Sequence, residues 1–170
     1  MIIETERLIL RQMTQEDFPA LCRIMQDEEA MAATYERPFT DGEVQGWLNR
    51  HLLRYEKLGF GLWAVVLKKT GEMIGQCGLT LQPWLEQEIL EIGYLFARDF
   101  WHKGYAAEAA LACKEYAFHT LNASEVGAII RDTHTASQRV ALRIGMQPAG
   151  TCTKNFRGTD MNFIRYTAHR

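Results

Sequence analysis

The sequence predicts an α/β fold of mixed type, in the order β-α-α-β-β-β-α-β-α-β-β. Three observations predict it. Apolar residues recur with a helical period between Thr40 and Leu58, and the period turns strand-like after Gly59. The stretch Glu91 to Phe118 passes from an apolar strand through a short basic loop into an alanine-rich helix. Two more strands close the chain around Arg157-Gly158-Thr159-Asp160. Antiparallel strands come first and a crossover later, which describes a mostly antiparallel twisted sheet flanked by helices.

The elements follow in order. Thr5 to Met13 sets Leu8, Ile9 and Leu10 between charges and reads as the first strand. Thr14 and Asp17 open a helix that gathers Phe18, Leu21, Cys22, Ile24 and Met25 on one side and ends near Gln26. Glu28 to Phe39 reads as irregular. Thr40 and Glu43 form a capping box, and Val44, Trp47, Leu48, Leu52 and Tyr55 line the helix behind it. Leu62 to Leu67 is a β-rich run, Lys69-Thr70-Gly71-Glu72 a hairpin turn, and Met73 to Leu81 the returning strand. Pro83-Trp84 marks a loop, and Ile89 to Phe96 is the fourth strand. In the helix from Tyr105 to about His119, Ala106, Ala110, Cys113 and Ala117 form a small-residue face suited to close packing on a sheet. Ser124 to Ile130 is a strand. Thr135-Ala136-Ser137-Gln138 reads as a third capping box, and its helix stops at Gly145. Gln147 to Phe156 and Asn162 to Thr167 complete the sheet.

Bulk properties narrow the function. The 170 residues suit one domain, 1–170, with a sizeable core. A net charge of −2 without a basic run argues against nucleic acid as a partner. No apolar run reaches membrane-spanning length, and the charged N-terminus does not read as a secretory signal. Cys22, Cys77, Cys113 and Cys152 lie far apart without metal-like spacing, so free thiols in a reducing cytoplasm are expected and no metal is. An oligomer is neither required nor excluded.

The loop before the second long helix carries the chemistry. Successive backbone N–H groups and the partial positive charge of a helix start suit an anion such as a diphosphate. The Gly-x-x-x-x-Gly-Lys-Ser/Thr pattern of a P-loop is absent, and the dinucleotide fingerprint Gly-x-Gly-x-x-Gly is met only at Gly104.

Trp101-His102-Lys103-Gly104-Tyr105-Ala106 resembles motif A of the GCN5-related N-acetyltransferases, Gln/Arg-x-x-Gly-x-Gly/Ala. With Phe100 and Glu108 added, it is similar to the branch that acetylates ribosomal-protein N-termini. Thr5 to Arg11, Glu91-Ile92-Gly93-Tyr94 and Thr135-Ala136-Ser137-x-Arg139-Val140-Ala141 are similar to that branch too. Trp101 departs from the Gln/Arg of motif A but fits that branch, whereas His102 and His134 stand where the branch often has glycine and usually asparagine.

The resemblance implies the acyl-CoA N-acyltransferase fold, acetyl-CoA as co-substrate and an amine acceptor. It implies that His102, Lys103, Gly104, Tyr105, Ala106 and Ala107 anchor the diphosphate. Leu95 and Phe96 would hold the pantetheine arm and an oxyanion donor, and His134 and Ser137 would lie against the cofactor. Glu91 is the candidate base, with Glu86 and Glu88 as loop alternatives and a solvated strand-end glutamate as the plain alternative. Ser137 is the candidate partner of the leaving thiolate. Tyr94 and Tyr105 read first as aromatic filling and second as acids.

The acceptor site is expected between the N-terminal helices and the last hairpin. Met31, Tyr35, Phe39, Trp63 and Trp84 are candidate walls, and Asp27, Glu28, Glu29 and Glu36 would favour a cationic amine. The acceptor is a protein N-terminus or a small molecule. A non-catalytic acyl-CoA sensor is the rival from another class.

Overall fold

The computed structural model describes residues 2–156 and 158–170. Its centre is an eight-stranded sheet in the order β1-β2-β3-β4-β5-β6-β8-β7. The strands are β1 (Ile2–Glu4), β2 (Leu8–Arg11), β3 (Leu62–Leu67), β4 (Met73–Trp84), β5 (Gln87–Phe96), β6 (Glu125–Arg131), β7 (Gln147–Phe156) and β8 (Thr159–His169). Among the described residues five α-helices accompany them: α1 (Phe18–Met25), α2 (Glu28–Tyr35), α3 (Asp41–Leu58), α4 (Tyr105–His119) and α5 (Thr135–Arg143). Every neighbouring pair is antiparallel except β5 and β6.

The expected order holds with two additions and three local corrections. The first strand is a pair, β1 and β2, with a turn between Glu4 and Leu8. The stretch expected to be irregular contains α2, whose start is capped by the Asp27 carboxylate accepting from the Ala30 N–H at 2.9 Å. Pro83 and Trp84 belong to β4, and the chain turns after them at Leu85, where φ is +53°. At α5 the N-cap is His134, not Thr135. The Gln138 side chain donates to the carbonyls of Arg131 and Asp132, so the expected capping box is not made. Arg157, in the last expected turn, lies outside the described residues.

The other signals act as read. Thr40 and Glu43 bond each other's backbone N–H at the start of α3. Gly145 ends α5 with φ +86°, and the amides of Gly145 and Met146 return to Leu142 and Ala141.

The sheet is covered on both faces. On β3 and β4 the paired residues Trp63 and Cys77 face α4, where they meet Tyr116 edge-on and the Cys113 thiol. The next pair, Ala64 and Gln76, faces the opposite way, and Gln76 meets Trp47 of α3. That burial on both sides explains why β3 is apolar throughout. Ala109, Ala110, Cys113 and Ala117 are fully buried, so the small face of α4 sits close on the sheet. Leu8, Leu10, Leu21, Ile24, Leu48 and Ile74 add side chains worth about 1.5–3 kcal/mol each on burial.

Candidate active site

The sheet opens at its parallel pair. β5 and β6 are in register at a single position, Glu91 opposite Gly127. Beyond it the Ile129 N–H donates to Oε1 of Glu91 at 3.1 Å, so a carboxylate stands where a strand partner would. A groove of about 520 Å³ lies on the α4 and α5 side of the gap, and a cavity of about 220 Å³ lies on the α3 side. Tyr94, Leu95, His134 and Ser137 line both, and mark where the two meet.

Ladder geometry settles which amides face the gap. The Ala97 N–H donates to the Ile74 carbonyl. Counting back along the antiparallel register, Leu95 is likewise hydrogen-bonded to β4 opposite Gln76. The N–H groups of Tyr94 and Phe96 therefore turn toward the gap. Of the two expected donors, Phe96 has the outward amide and Leu95 contributes only its side chain to the walls.

The loop into α4 is shaped by two left-handed residues, His102 at φ +59° and Gly104 at φ +81°. His102 explains the usual glycine of this place, because the backbone there is one that side chains rarely adopt. Gly104 is the N-cap of α4, and no side chain caps that end. The first-turn amides of Tyr105, Ala106 and Ala107 are left for an anion, with the helix dipole behind them. His102, Gly104, Tyr105, Ala106 and Ala107 all line the groove, and Lys103 does not. The Lys103 ammonium donates to the Asp99 carbonyl at 2.8 Å and lies over the Phe100 ring. Arg139, part of the quoted α5 motif, and Arg143, not singled out in the sequence, add positive charge along the α5 wall.

The loop is held from the N-terminus of the chain. Arg7 donates through Nη1 to the Lys103 carbonyl at 3.0 Å and through Nε to Glu108 at 2.7 Å, with its guanidinium 4.4 Å from the Tyr105 ring centre. The Thr5 hydroxyl and the Arg7 N–H donate to the other Glu108 oxygen at 2.6 and 2.9 Å. Trp101 closes the other end by donating from its indole to the Phe96 carbonyl at 2.9 Å. Only the resemblance pointed to Thr5 and Arg7; spacing gives no hint of a partner so far along the chain.

Glu91 sits half-buried in the cavity wall. Burial pushes its carboxyl up to about 7, against hydrogen bonds from Ile129 and Thr80 and the positive fields of Lys154 and Arg54. It is thus poised to gain and lose a proton near neutrality. Glu86 and Glu88 line neither space. Ser137, in the first turn of α5, donates from its hydroxyl to the Tyr94 phenol oxygen at 2.9 Å, and the Tyr94 hydroxyl donates to the Ser137 carbonyl at 2.9 Å. Burial raises the Tyr94 phenol well above its ordinary value, so it stays neutral and donates. Burial, with Arg131 nearby, lowers the His134 imidazole and keeps it uncharged at pH 7.

The acceptor walls differ from expectation. Tyr35 lines the cavity; Met31, Phe39, Trp63 and Trp84 do not. Trp63 is on the opposite face of the sheet, and Phe39 packs behind Tyr35 and Trp47. The expected acids lie elsewhere. Asp27 and Glu29 are paired with Arg98, and neither Glu28 nor Glu36 lines the cavity. Arg50, Arg54 and Arg131 are there instead. Among the described residues no group of three His, Cys, Asp or Glu is arranged to hold a metal, and no helix is long and apolar enough to cross a membrane.

A mixed sheet parted at its one parallel pair, with an uncapped helix start facing the gap, is the arrangement of the acyl-CoA N-acyltransferase fold. Residues 7–147 match the family model of the acetyltransferase (GNAT) domain, and the chain belongs to that family. It is 35% identical to the uncharacterized protein YkkB of Bacillus subtilis, over 88% of this chain and 87% of that one. It is 32% identical to the uncharacterized N-acetyltransferase p20 of Bacillus licheniformis, over 86% and 82%. Among solved structures it resembles an acetyltransferase from Agrobacterium tumefaciens, at 29% identity and a TM-score of 0.83 over 100% and 95% of the chains. A ribosomal L7/L12 α-N-protein acetyltransferase in complex with coenzyme A shares the fold at 17% identity and a TM-score of 0.81, over 99% and 98%. The protein is an acetyltransferase of the GNAT family.

Proposed function

We propose that the protein transfers the acetyl group of acetyl-CoA to a primary amine by direct attack within a ternary complex. One observation carries the reading: an anion-ready groove and a separate cavity meet at Tyr94, Leu95, His134 and Ser137, beside a carboxyl that titrates near pH 7. Two substrates can approach one point from opposite sides, with no need of a covalent enzyme intermediate.

The groove fits a diphosphate. Its loop offers the amides of Tyr105, Ala106 and Ala107, with Arg139 and Arg143 close by and Glu29 as the one acid among its lining residues. The relative bound to coenzyme A shares this fold, which supports the assignment. Leu95 and the outward amides of Tyr94 and Phe96 hold the pantetheine arm in the manner of an added strand. His102 and the uncharged His134 contribute walls, and Lys103 a tethered loop.

The chemistry follows from the remaining groups. Glu91 takes a proton from the incoming ammonium, directly or through water, and frees the nitrogen lone pair. The nitrogen attacks the thioester carbon while the Tyr94 and Phe96 amides face the oxygen that gains charge. The C–S bond then breaks, and the proton shed by the new amide nitrogen ends on sulfur. The Ser137 and Tyr94 hydroxyls turn from their present acceptors to the sulfur as it gains charge, supported by the helix dipole of α5. With its phenol raised by burial, Tyr94 is a donor here and not a full proton source.

The test is release of free thiol from acetyl-CoA against peptides with varied N-termini, free amino acids and polyamines. Amine-dependent release supports transfer. Tight acetyl-CoA binding by calorimetry with no release from any amine supports a sensor.

A further inference from the structure

The cavity on the α3 side is built of donors. Arg50 and Arg54 stand one turn apart on α3, and Arg131 reaches the same space from the end of β6. None of the three has a carboxylate partner among the salt bridges of the described residues. Like charges at this spacing on a helix repel. Burial first and the repulsion of Arg50 second lower the Arg54 guanidinium, against the pull of the Glu91 carboxylate.

Arg54 is poorly matched to the imidazole beside it. The Leu62 N–H donates to Nδ1 of His51, and burial holds that imidazole down at about 3, so it is neutral and Nε2 carries its proton. Nη1 of Arg54 lies 3.5 Å from that Nε2, a donor facing a donor. Two buried nitrogens repeat the pattern. Gln76 is fully buried in the cavity wall, and its Oε1 accepts from the Trp47 indole at 2.9 Å. Its Nε2 has no acceptor, and neither has Nε of Arg131. An indole N–H can only donate, which fixes the orientation of that amide.

Arg50 is exposed and Arg54 and Arg131 are half-buried, so their charges are open to a ligand entering the cavity and favour an anion there. The carboxyl of Glu91 is the one acid lining the cavity. We propose that the acceptor is a free amino carboxylate: a small molecule whose carboxylate seats on Arg50, Arg54 and Arg131, and whose amine points past Glu91 to the gap. The inference rests on the transferase reading and narrows its acceptor. The cavity of about 220 Å³ lies below the ~300–1,000 Å³ of clefts for drug-sized ligands, which favours a molecule of amino-acid size over a polypeptide.

The experiment compares free amino acids, their carboxamides, the corresponding decarboxylated amines and acidic peptides as acceptors. It uses the native protein, Arg54→Gln and Arg50→Gln, and reads kcat/KM by thiol release. Free amino acids should exceed their carboxamides by about 10- to 100-fold, since a charged hydrogen bond is worth one to two factors of ten. Arg54→Gln should erase most of that preference, and Arg50→Gln part of it. Equal or better turnover of carboxamides, polyamines or acidic peptides overturns the proposal and leaves the transferase reading standing. If no amine releases thiol, the transferase reading fails, and calorimetry with the same amino acids on the coenzyme A-loaded protein decides. Binding that Arg54→Gln weakens by a similar factor upholds the carboxylate seat, and absent binding overturns it.

Discussion

The hydroxyls of Ser137 and Tyr94 lie 2.9 Å apart, and the Tyr94 proton is engaged by the Ser137 carbonyl at the same distance. The pair ties the first turn of α5 to β5 at the point where groove and cavity meet. If the two hydroxyls serve the departing sulfur together, their losses will not add. Ser137→Ala and Tyr94→Phe should each lower kcat about 10- to 100-fold, and the double change should cost little more than the worse single one. Acetyl-CoA affinity, measured by calorimetry, should stay within about threefold. Independent, multiplying losses would separate the two residues.

Glu91 should give the enzyme its pH dependence. With the carboxyl raised to about 7, the basic form appears only as pH rises through that value. kcat/KM should climb about tenfold per pH unit below 7 and level above it. Glu91→Gln should remove that limb and lower turnover by about 10²–10⁴-fold.

Stability moves in the opposite sense. The folded carboxyl binds its proton more tightly than the unfolded one, whose ordinary value is 4.5. The stabilising contribution is therefore complete below about 4.5 and is lost as pH rises to about 7. Glu91→Gln should be the more stable protein at pH 8, by on the order of 2–3 kcal/mol, with the difference shrinking toward pH 5. Urea unfolding at the two pH values checks both signs.

Arg7 and Glu108 join the start of the chain to the first turn of α4, and the same guanidinium holds the Lys103 carbonyl. Removing the acid leaves the Thr5 hydroxyl, the Arg7 N–H and the Arg7 Nε without their acceptor. Arg7 is 41% exposed, so water offsets part of the loss. Glu108→Ala should cost about 2 kcal/mol, seen as a lower urea midpoint at unchanged slope. Because the loop is held by the same bond network, acetyl-CoA affinity should fall with it. A stability loss with intact affinity would detach the clamp from the loop.

Some elements are legible in the sequence and others depend on the fold. The strand, loop and helix from Glu91 to Phe118 were legible because their signals are local: an apolar run, then Gly104, then alanines at helical spacing. α2 was not, because among its described side chains Ala30 and Met31 are the buried ones and its cap is a lone Asp27. The Thr135 box does not form because the helix starts one residue earlier, which sends the Gln138 amide to carbonyls. Arg50 and Arg54 have the spacing of a solvated helix face, and only the fold turns that face over a cavity. Asp27 and Glu29, expected as an acidic edge for the amine, are paired with Arg98 in the turn just beyond β5. Partnerships of this kind depend on topology, and periodicity does not carry them.

Gly104 offers the sharpest test of the groove. At φ +81° any side chain pays about 1–3 kcal/mol of backbone strain, which a fold of this size can bear. A carboxylate placed there would face the same amides as the incoming diphosphate and repel it. Gly104→Glu should therefore unfold cooperatively at a somewhat lower urea midpoint and show no acetyl-CoA binding by calorimetry. Gly104→Ala separates strain from charge: it carries the same backbone cost without the anion, and should retain weakened but measurable binding. Full affinity in the glutamate variant would remove the diphosphate from this loop, and equal loss in both variants would trace the effect to loop shape alone.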